Sequence, residues 1–234
     1  MCGRFTLTKI DGHGIAQRFD VAQDPEEATL GRFNVCPTEQ ISIVSVKEEE
    51  RRVMAVRWGL VPTWAKALGK GREPINARSE TVAAKKPFAD LYARPERRCL
   101  VLADGWYEWL RSEHPKQPRV PFRYTVDDDE LFAFAGLFGY AKIGEEWVTS
   151  ATILTTVANE VCAPVHDRMP VVLAGPDEEA AWLAGADDPV LTAPLAAART
   201  TARPANPAVN RAGVEGPELL VPPPPEPAAQ QTLL

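Results

Sequence analysis

The chain has 234 residues, 45% of them apolar, with 32 acidic against 26 basic side chains and a net charge of −6 at neutral pH. That is enough apolar chain for one sizeable core, and no run of about 18 apolar residues is present to cross a membrane as a helix. Cys2, Cys36, Cys99 and Cys162 lie far apart, without a Cys-x-x-Cys pair and with only three histidines beside them, which argues against a zinc site or a disulfide framework.

The charge is unevenly spread. Between Arg51 and Leu100 twelve Lys/Arg stand against four Asp/Glu, a local +8, whereas residues 101–234 hold nine against nineteen, a local −10. The basic segment also carries Trp58 and Trp64. Cations interleaved with aromatics suit nucleic-acid recognition, and the same composition also describes a solvated face.

In chain order, Met1-Cys2-Gly3-Arg4-Phe5 comes first. Removal of Met1, favoured by the small Cys2 side chain, leaves an α-amine and a thiol on adjacent carbons. Such a 1,2-aminothiol condenses with an aldehyde to an imine, which the thiol closes to a thiazolidine. The amine has a reference pKa of about 7.7–8.0 and the thiol about 8.5, so both need proton acceptors nearby at neutral pH. The structural alternative is a cysteine that simply packs.

Residues 14–19 predict a short helix and 30–37 an irregular approach to the first strand. Ile41–Val46 and Arg52–Trp58, flanking a charged turn, predict a hairpin. Gly59 to Glu73 reads as a functional loop and Lys86 to Tyr92 as a short helix. Strand-length apolar runs follow at Cys99–Ala103, Val120–Val126, Leu131–Phe138, Trp147–Leu154 and Val171–Leu173, with acidic turns at Asp127–Glu130 and Gly144–Glu146. Pro176 to about Ala184 predicts a helix, because proline suits its first position, the next three acids suit its first turn and Gly185 its stop. Few helices among hairpin-connected strands predict an α+β fold, mostly antiparallel, with the strands forming a distorted barrel or sandwich. Residues 2–220 read as one domain, and the proline-rich 221–234 as a disordered tail.

Four stretches are dense in catalytic residue types: Arg57-Trp58-Gly59-Leu60-Val61-Pro62, Asn76-Ala77-Arg78-Ser79-Glu80-Thr81, Asp104-Gly105-Trp106-Tyr107-Glu108-Trp109 and His166-Asp167-Arg168-Met169-Pro170. Each has a structural reading too, with Asn76 and Ser79 as turn or cap residues, Glu108 as a solvent-facing strand carboxylate and His166 as a structural histidine. Together with the opening Met-Cys-Gly-Arg-Phe, the chain resembles the SRAP family (SOS response-associated peptidase) from Cys2 to about Asn210. Departures are small: Cys36 stands where alanine is commoner, Glu39 where glutamine is commoner, and the match after Thr200 is loose.

The resemblance implies a DNA-damage protein that binds abasic sites in single-stranded DNA and crosslinks to them through Cys2, after peptidase-like self-processing removes Met1. Lyase-type chemistry at the lesion belongs to the same picture. An abasic sugar opens to an aldehyde, which an aminothiol traps. His166 is the candidate for opening the sugar, Glu108 for taking a proton from the amine, and Asn76 for orienting Cys2 or holding oxygen charge. Arg4 and Arg78 are candidates for gripping phosphates, and Pro37, Trp58 and Trp64 for stacking or wedging around a displaced nucleotide, with core packing the alternative for the tryptophans. No metal or cofactor is called for. The implied protein is a monomer acting in the cytoplasm of a bacterial-type cell, at the nucleoid on damage, because no secretory signal opens the chain. Two alternatives remain: an N-terminal-nucleophile cysteine amidotransferase, which opens on the same Met-Cys-Gly, and a noncovalent single-strand-binding module with an incidental Cys2.

Overall fold

A computed structural model describes residues 2–69, 73–110 and 119–222. Its strands are β1 (Phe5–Leu7), β2 (Arg32–Val35), β3 (Gln40–Lys47), β4 (Glu50–Trp58), β5 (Asn76–Arg78), β6 (Arg98–Ala103), β7 (Gly105–Leu110), β8 (Val120–Val126), β9 (Phe132–Ile143), β10 (Glu146–Val157), β11 (Arg168–Pro170), β12 (Val172–Leu173) and β13 (Thr200–Pro204). The α-helices are α1 (Gly12–Arg18), α2 (Ala89–Tyr92) and α3 (Pro176–Leu183). No helix among the described residues is long and apolar enough to cross a membrane.

One antiparallel sheet runs β13-β8-β7-β1-β2. The other runs β11-β10-β4-β3-β6-β9-β12, and a β9–β10 pairing closes its middle five strands into a barrel. The fold is therefore the expected α+β barrel with a few flanking helices. β10 also pairs in parallel with β4 and β5, an arrangement not legible from hairpin spacing.

Both faces of β6 are buried, which explains why its sequence is a continuous apolar run. Cys99, Val101 and Ala103 feed one core cluster with Phe5, Trp58, Trp106 and Tyr124, joining the barrel to the five-stranded sheet. Leu100 and Leu102 feed a second with Phe19 of the α1 end and Trp182 of α3. Gly136 of β9 passes so close that a Cβ there would lie 2.9 Å from both Cys99 Sγ and Val101 Cγ2.

The predicted β3–β4 hairpin forms, and so do β6, β8, β12, α1 and α3 close to their predicted limits, while β9 and β10 form but run on to Ile143 and Val157, past the predicted Phe138 and Leu154. The Asp127–Asp129 turn takes left-handed φ values of 42°, 59° and 68°. Two expectations are corrected. Residues 32–35 form a strand, held by pairing of Val35 with Phe5, and the helix expected over 86–92 is regular only over Ala89–Tyr92. The expected tail falls, from residue 223 onward, outside the described residues.

Asp104 ties β1 to β7. Its buried carboxylate accepts from the Thr6 hydroxyl, the Thr8 hydroxyl and the Thr8 N–H, each at 2.6 Å, and Arg123 Nη2 lies 3.6 Å from it. Replacing Asp104 with Asn removes the charge and leaves Arg123 partly uncompensated, so stability should fall by about 2–3 kcal/mol. Urea denaturation checks this, and an unchanged midpoint would show that the network is dispensable.

Candidate active site

The β1–β7 ladder pairs Phe5 with Trp106 and Thr6 with Gly105, and continues past the strand end as Tyr107 N–H donates to Arg4 O at 3.0 Å. That register carries Cys2 along β7 toward Glu108. Cys2 is fully buried, its Sγ 3.8 Å from Arg4 O. From the other side Asn76, the first residue of β5, donates Nδ2 to Cys2 O at 2.7 Å. β5 is fixed by pairing Asn76 with Ile153 on β10. The donor role assigns Nδ2, so the buried Oδ1 is the atom left without a hydrogen-bond partner among the described residues.

Glu108 is 4% exposed. Burial pushes its carboxyl up to about 7, the positive charge of the amino terminus opposes that rise, and Asp167 adds to it. The reading of Glu108 as a solvent-facing strand carboxylate is corrected accordingly: the side chain is buried, and its carboxyl sits near its midpoint at neutral pH. Burial also raises the Cys2 thiol, with Glu108 adding to the effect, so the sulfur stays protonated. Cys162 is raised to about 12 by the same two causes in the same order.

His166 sits on the turn after β10, its N–H bonded to Cys162 O at 3.0 Å. Cys162 and Asp167, on either side in sequence, both interact electrostatically with Glu108, which places this turn against the carboxyl. His166 Nδ1 accepts from Arg168 N–H at 3.0 Å, while Asp167 Oδ1 also lies 3.0 Å from it. The two contacts cannot coexist in one protonation state. The backbone bond needs a lone pair on Nδ1 and the contact with the 82%-exposed Asp167 needs a proton there, so the two contacts serve different protonation forms of the ring.

The other predicted residues divide. Arg78 is exposed at the end of β5, beside Thr155 of β10, and Pro37 is half-buried in the turn between β2 and β3. Trp64 is 60% exposed. Arg4 directs Nη1 to Asn34 Oδ1 and Val209 O, both at 2.8 Å, and its guanidinium lies 6.0 Å from the Trp109 ring. Trp58 is corrected: it has no exposed surface, packs edge-on against Phe5 and donates Nε1–H to Ile75 O at 3.1 Å. Its indole offers no face to a base.

Residues 1–212 match the profile of the family described as SOS response associated peptidase (SRAP). The chain belongs to the SRAP family. Among its relatives, this SRAP chain is 38% identical to the abasic site processing protein YoaM of Bacillus subtilis over 193 residues, covering 78% of this chain and 79% of that one. It is 32% identical to the abasic site processing protein YedK of Escherichia coli over 189 residues, at 78% and 79% coverage. Among solved structures it resembles a Bacteroides thetaiotaomicron protein with a TM-score of 0.76 and 21% identity, covering 88% and 92% of the two chains. That likeness shows the shared fold.

Asp104 and Arg168 lie inside motifs of this SRAP chain, and their roles follow only from the structure. Arg168 is buried and ion-paired with Glu80 through both Nη atoms, and its Nη2 also reaches Thr155 O at 2.6 Å. This hydrogen bonding holds the Glu80 carboxyl below its usual range. The pair ties β11, and with it the His166 turn, to the turn that follows β5, and the Thr155 contact ties it to β10. Its signal was present in the sequence as one acid and one base in two separate motifs, but only the fold brings them together.

Proposed function

We propose that this protein captures abasic sites in single-stranded DNA as a thiazolidine on Cys2, after removal of Met1, and so shields the lesion. The observation that carries the reading is the seating of Cys2 between the Asn76 amide and a buried carboxyl near 7. The names of the relatives support the same substrate.

In this reading His166 takes the proton of the anomeric hydroxyl and returns one to the ring oxygen, opening the sugar to its aldehyde. Glu108 takes a proton from the Cys2 ammonium, and the free amine adds to the carbonyl carbon. Asn76 orients the amine through the main chain of Cys2. The resulting hydroxyl is protonated by Glu108 and leaves as water, giving an iminium. Cys2 Sγ then bonds to that carbon while its proton passes to Glu108, which closes the ring. The thiol is held protonated by burial, so the amine reacts first. Overall, aldehyde and aminothiol become thiazolidine and water. A group that gives and takes protons in successive steps works best with a pKa near the working pH, which is where burial puts Glu108.

Arg4 and Arg78 hold flanking phosphates, and Pro37 and Trp64 wedge or stack beside the lesion. Residues 2–220 act as one unit and as a monomer in the cytoplasm.

Incubation with an abasic oligonucleotide, denaturing electrophoresis and intact mass form the test. The expected species has the mass of protein without Met1 plus oligonucleotide less one water. Binding in a native gel with no covalent species would favour a simple binding module, and glutamine hydrolysis would favour the amidotransferase reading. Arg78→Glu should weaken binding of all strand sequences alike and make the salt dependence shallower by about one phosphate contact. Titrations of several sequences over a salt series check this, and a strong base preference in the variant would contradict it.

A further inference from the structure

Among the described residues three aromatic side chains stand exposed, Trp64 at 60%, Tyr140 at 39% and Trp147 at 70%, and all three line one groove of about 400 Å³. Leu60, Pro62 and Leu91 also line it, and Arg94, Arg97 and Asp90 supply its charged groups. Large apolar rings left in water on one surface mark a contact site. Flat rings interleaved with guanidinium groups suit unpaired nucleobases, since every base has a face to stack and a phosphate to neutralise.

We infer that this groove is a second stacking station for the single strand flanking the lesion, with Trp147 and Tyr140 taking bases and Arg97 guiding the backbone. The inference rests on the proposed DNA substrate and extends it beyond the reacting nucleotide. Geometry ties the groove to the candidate site. β10 runs from Trp147, in the groove, to Ile153, which pairs with Asn76, a separation of about 20 Å at the rise of a strand. The segment leading to Trp64 is fastened to the same stretch by Gly59 N–H to Ala151 O at 2.9 Å and Val61 N–H to Ser150 Oγ at 2.8 Å. Both stations therefore ride on one rigid strand.

Within the groove, Tyr140 pairs with Thr149, two residues beyond Trp147, so the two rings are diagonal neighbours across the β9–β10 ladder. Arg97 lies over the Tyr140 ring, its guanidinium 4.7 Å from the centroid, so cation and ring form one stacked unit in the groove. Arg94 is paired with Glu96 at 2.7 Å, leaving Arg97 the better phosphate partner. Exposed Lys85 and Lys86 adjoin Pro87 at the groove edge and outweigh Asp90.

The test reads noncovalent binding of undamaged, dye-labelled single strands to the full chain, by anisotropy, so it does not depend on adduct formation. Trp147→Ala and Tyr140→Ala should each weaken binding of a strand of about 12 nucleotides roughly tenfold and leave a strand of about 4 nucleotides unchanged, with Trp147→Phe retaining most of the affinity. Replacing the flanking bases with tetrahydrofuran spacers should bring the wild type to the affinity of a Trp147→Ala, Tyr140→Ala double variant and leave that double variant unmoved. Wild-type affinity of both alanine variants for the long strand would overturn the inference. So would binding of a synthetic peptide of residues 219–230 that quenches Trp147 while DNA does not, because the groove would then serve the proline-rich segment. Failure of the wild type to form any adduct with an abasic strand would count against the proposed function and leave this reading standing.

Discussion

Cys2→Ala protein is expected to form no denaturation-stable adduct with an abasic oligonucleotide, while binding the same strand noncovalently within about twofold of wild type. The reason is the need for amine and thiol on adjacent carbons. Cys36, Cys99 and Cys162 are internal and buried, so none has a free α-amine to form the imine. Loss of one buried sulfur leaves a small cavity and costs about 1–2 kcal/mol, less than a domain of this size holds in reserve. The fold should therefore survive and the result remain interpretable. Cys2→Ser sharpens the test. Both variants keep the amine and lack the thiol, so each should give only an imine, visible after trapping with borohydride, and serine shows that a hydroxyl does not replace the sulfur. Electrophoresis and intact mass on the three proteins read both effects. A stable adduct in Cys2→Ala would move the nucleophile elsewhere.

How much of this was legible in the chain depended on distance along it. The β3–β4 hairpin and the runs at β6, β8, β9 and β10 could be read because each is long enough for its apolar pattern to show. β1, β5 and β11 have three residues each and exist only because longer partners fix them, Asn76 through Ile153 and Arg168 through Val157. Those short strands carry or border the candidate site, so its motifs could be read as motifs but not as a geometry. Cys2, Asn76 and Glu108 do come together. Stacking and core packing could not be separated for Trp58, because an indole in a basic segment reads the same whether it faces solvent or core. Glu108 could be read as a solvent-facing carboxylate because its burial is set by strands on both sides of it, which its local sequence cannot report.

Burial of Glu108 also makes one substitution move rate and stability in opposite directions. Glu108→Gln should slow single-turnover crosslinking by about 10²–10⁴-fold at neutral pH, since a positioned proton carrier contributes on that order. Wild-type rates should rise with pH through about 7 as the carboxylate forms. The variant lacks that limb, and its residual rate should follow the free amine, with a reference pKa of about 7.7–8.0, so the gap narrows in alkali. His166→Ala should be rescued less, because deprotonating the amine does not open the sugar. The stability effect has the reverse sign. A carboxyl whose folded pKa is raised from 4.5 to about 7 favours folding while protonated, and that contribution is lost as pH rises between those values. Above about pH 8 the wild type bears the full cost of a buried carboxylate, about 3 kcal/mol, which the neutral amide avoids. Thermal melts should therefore show Glu108→Gln near wild type at about pH 5 and distinctly more stable at about pH 8. Parallel melting curves at both pH values, or wild-type crosslinking rates across the range, would remove Glu108 from the role of buried proton carrier.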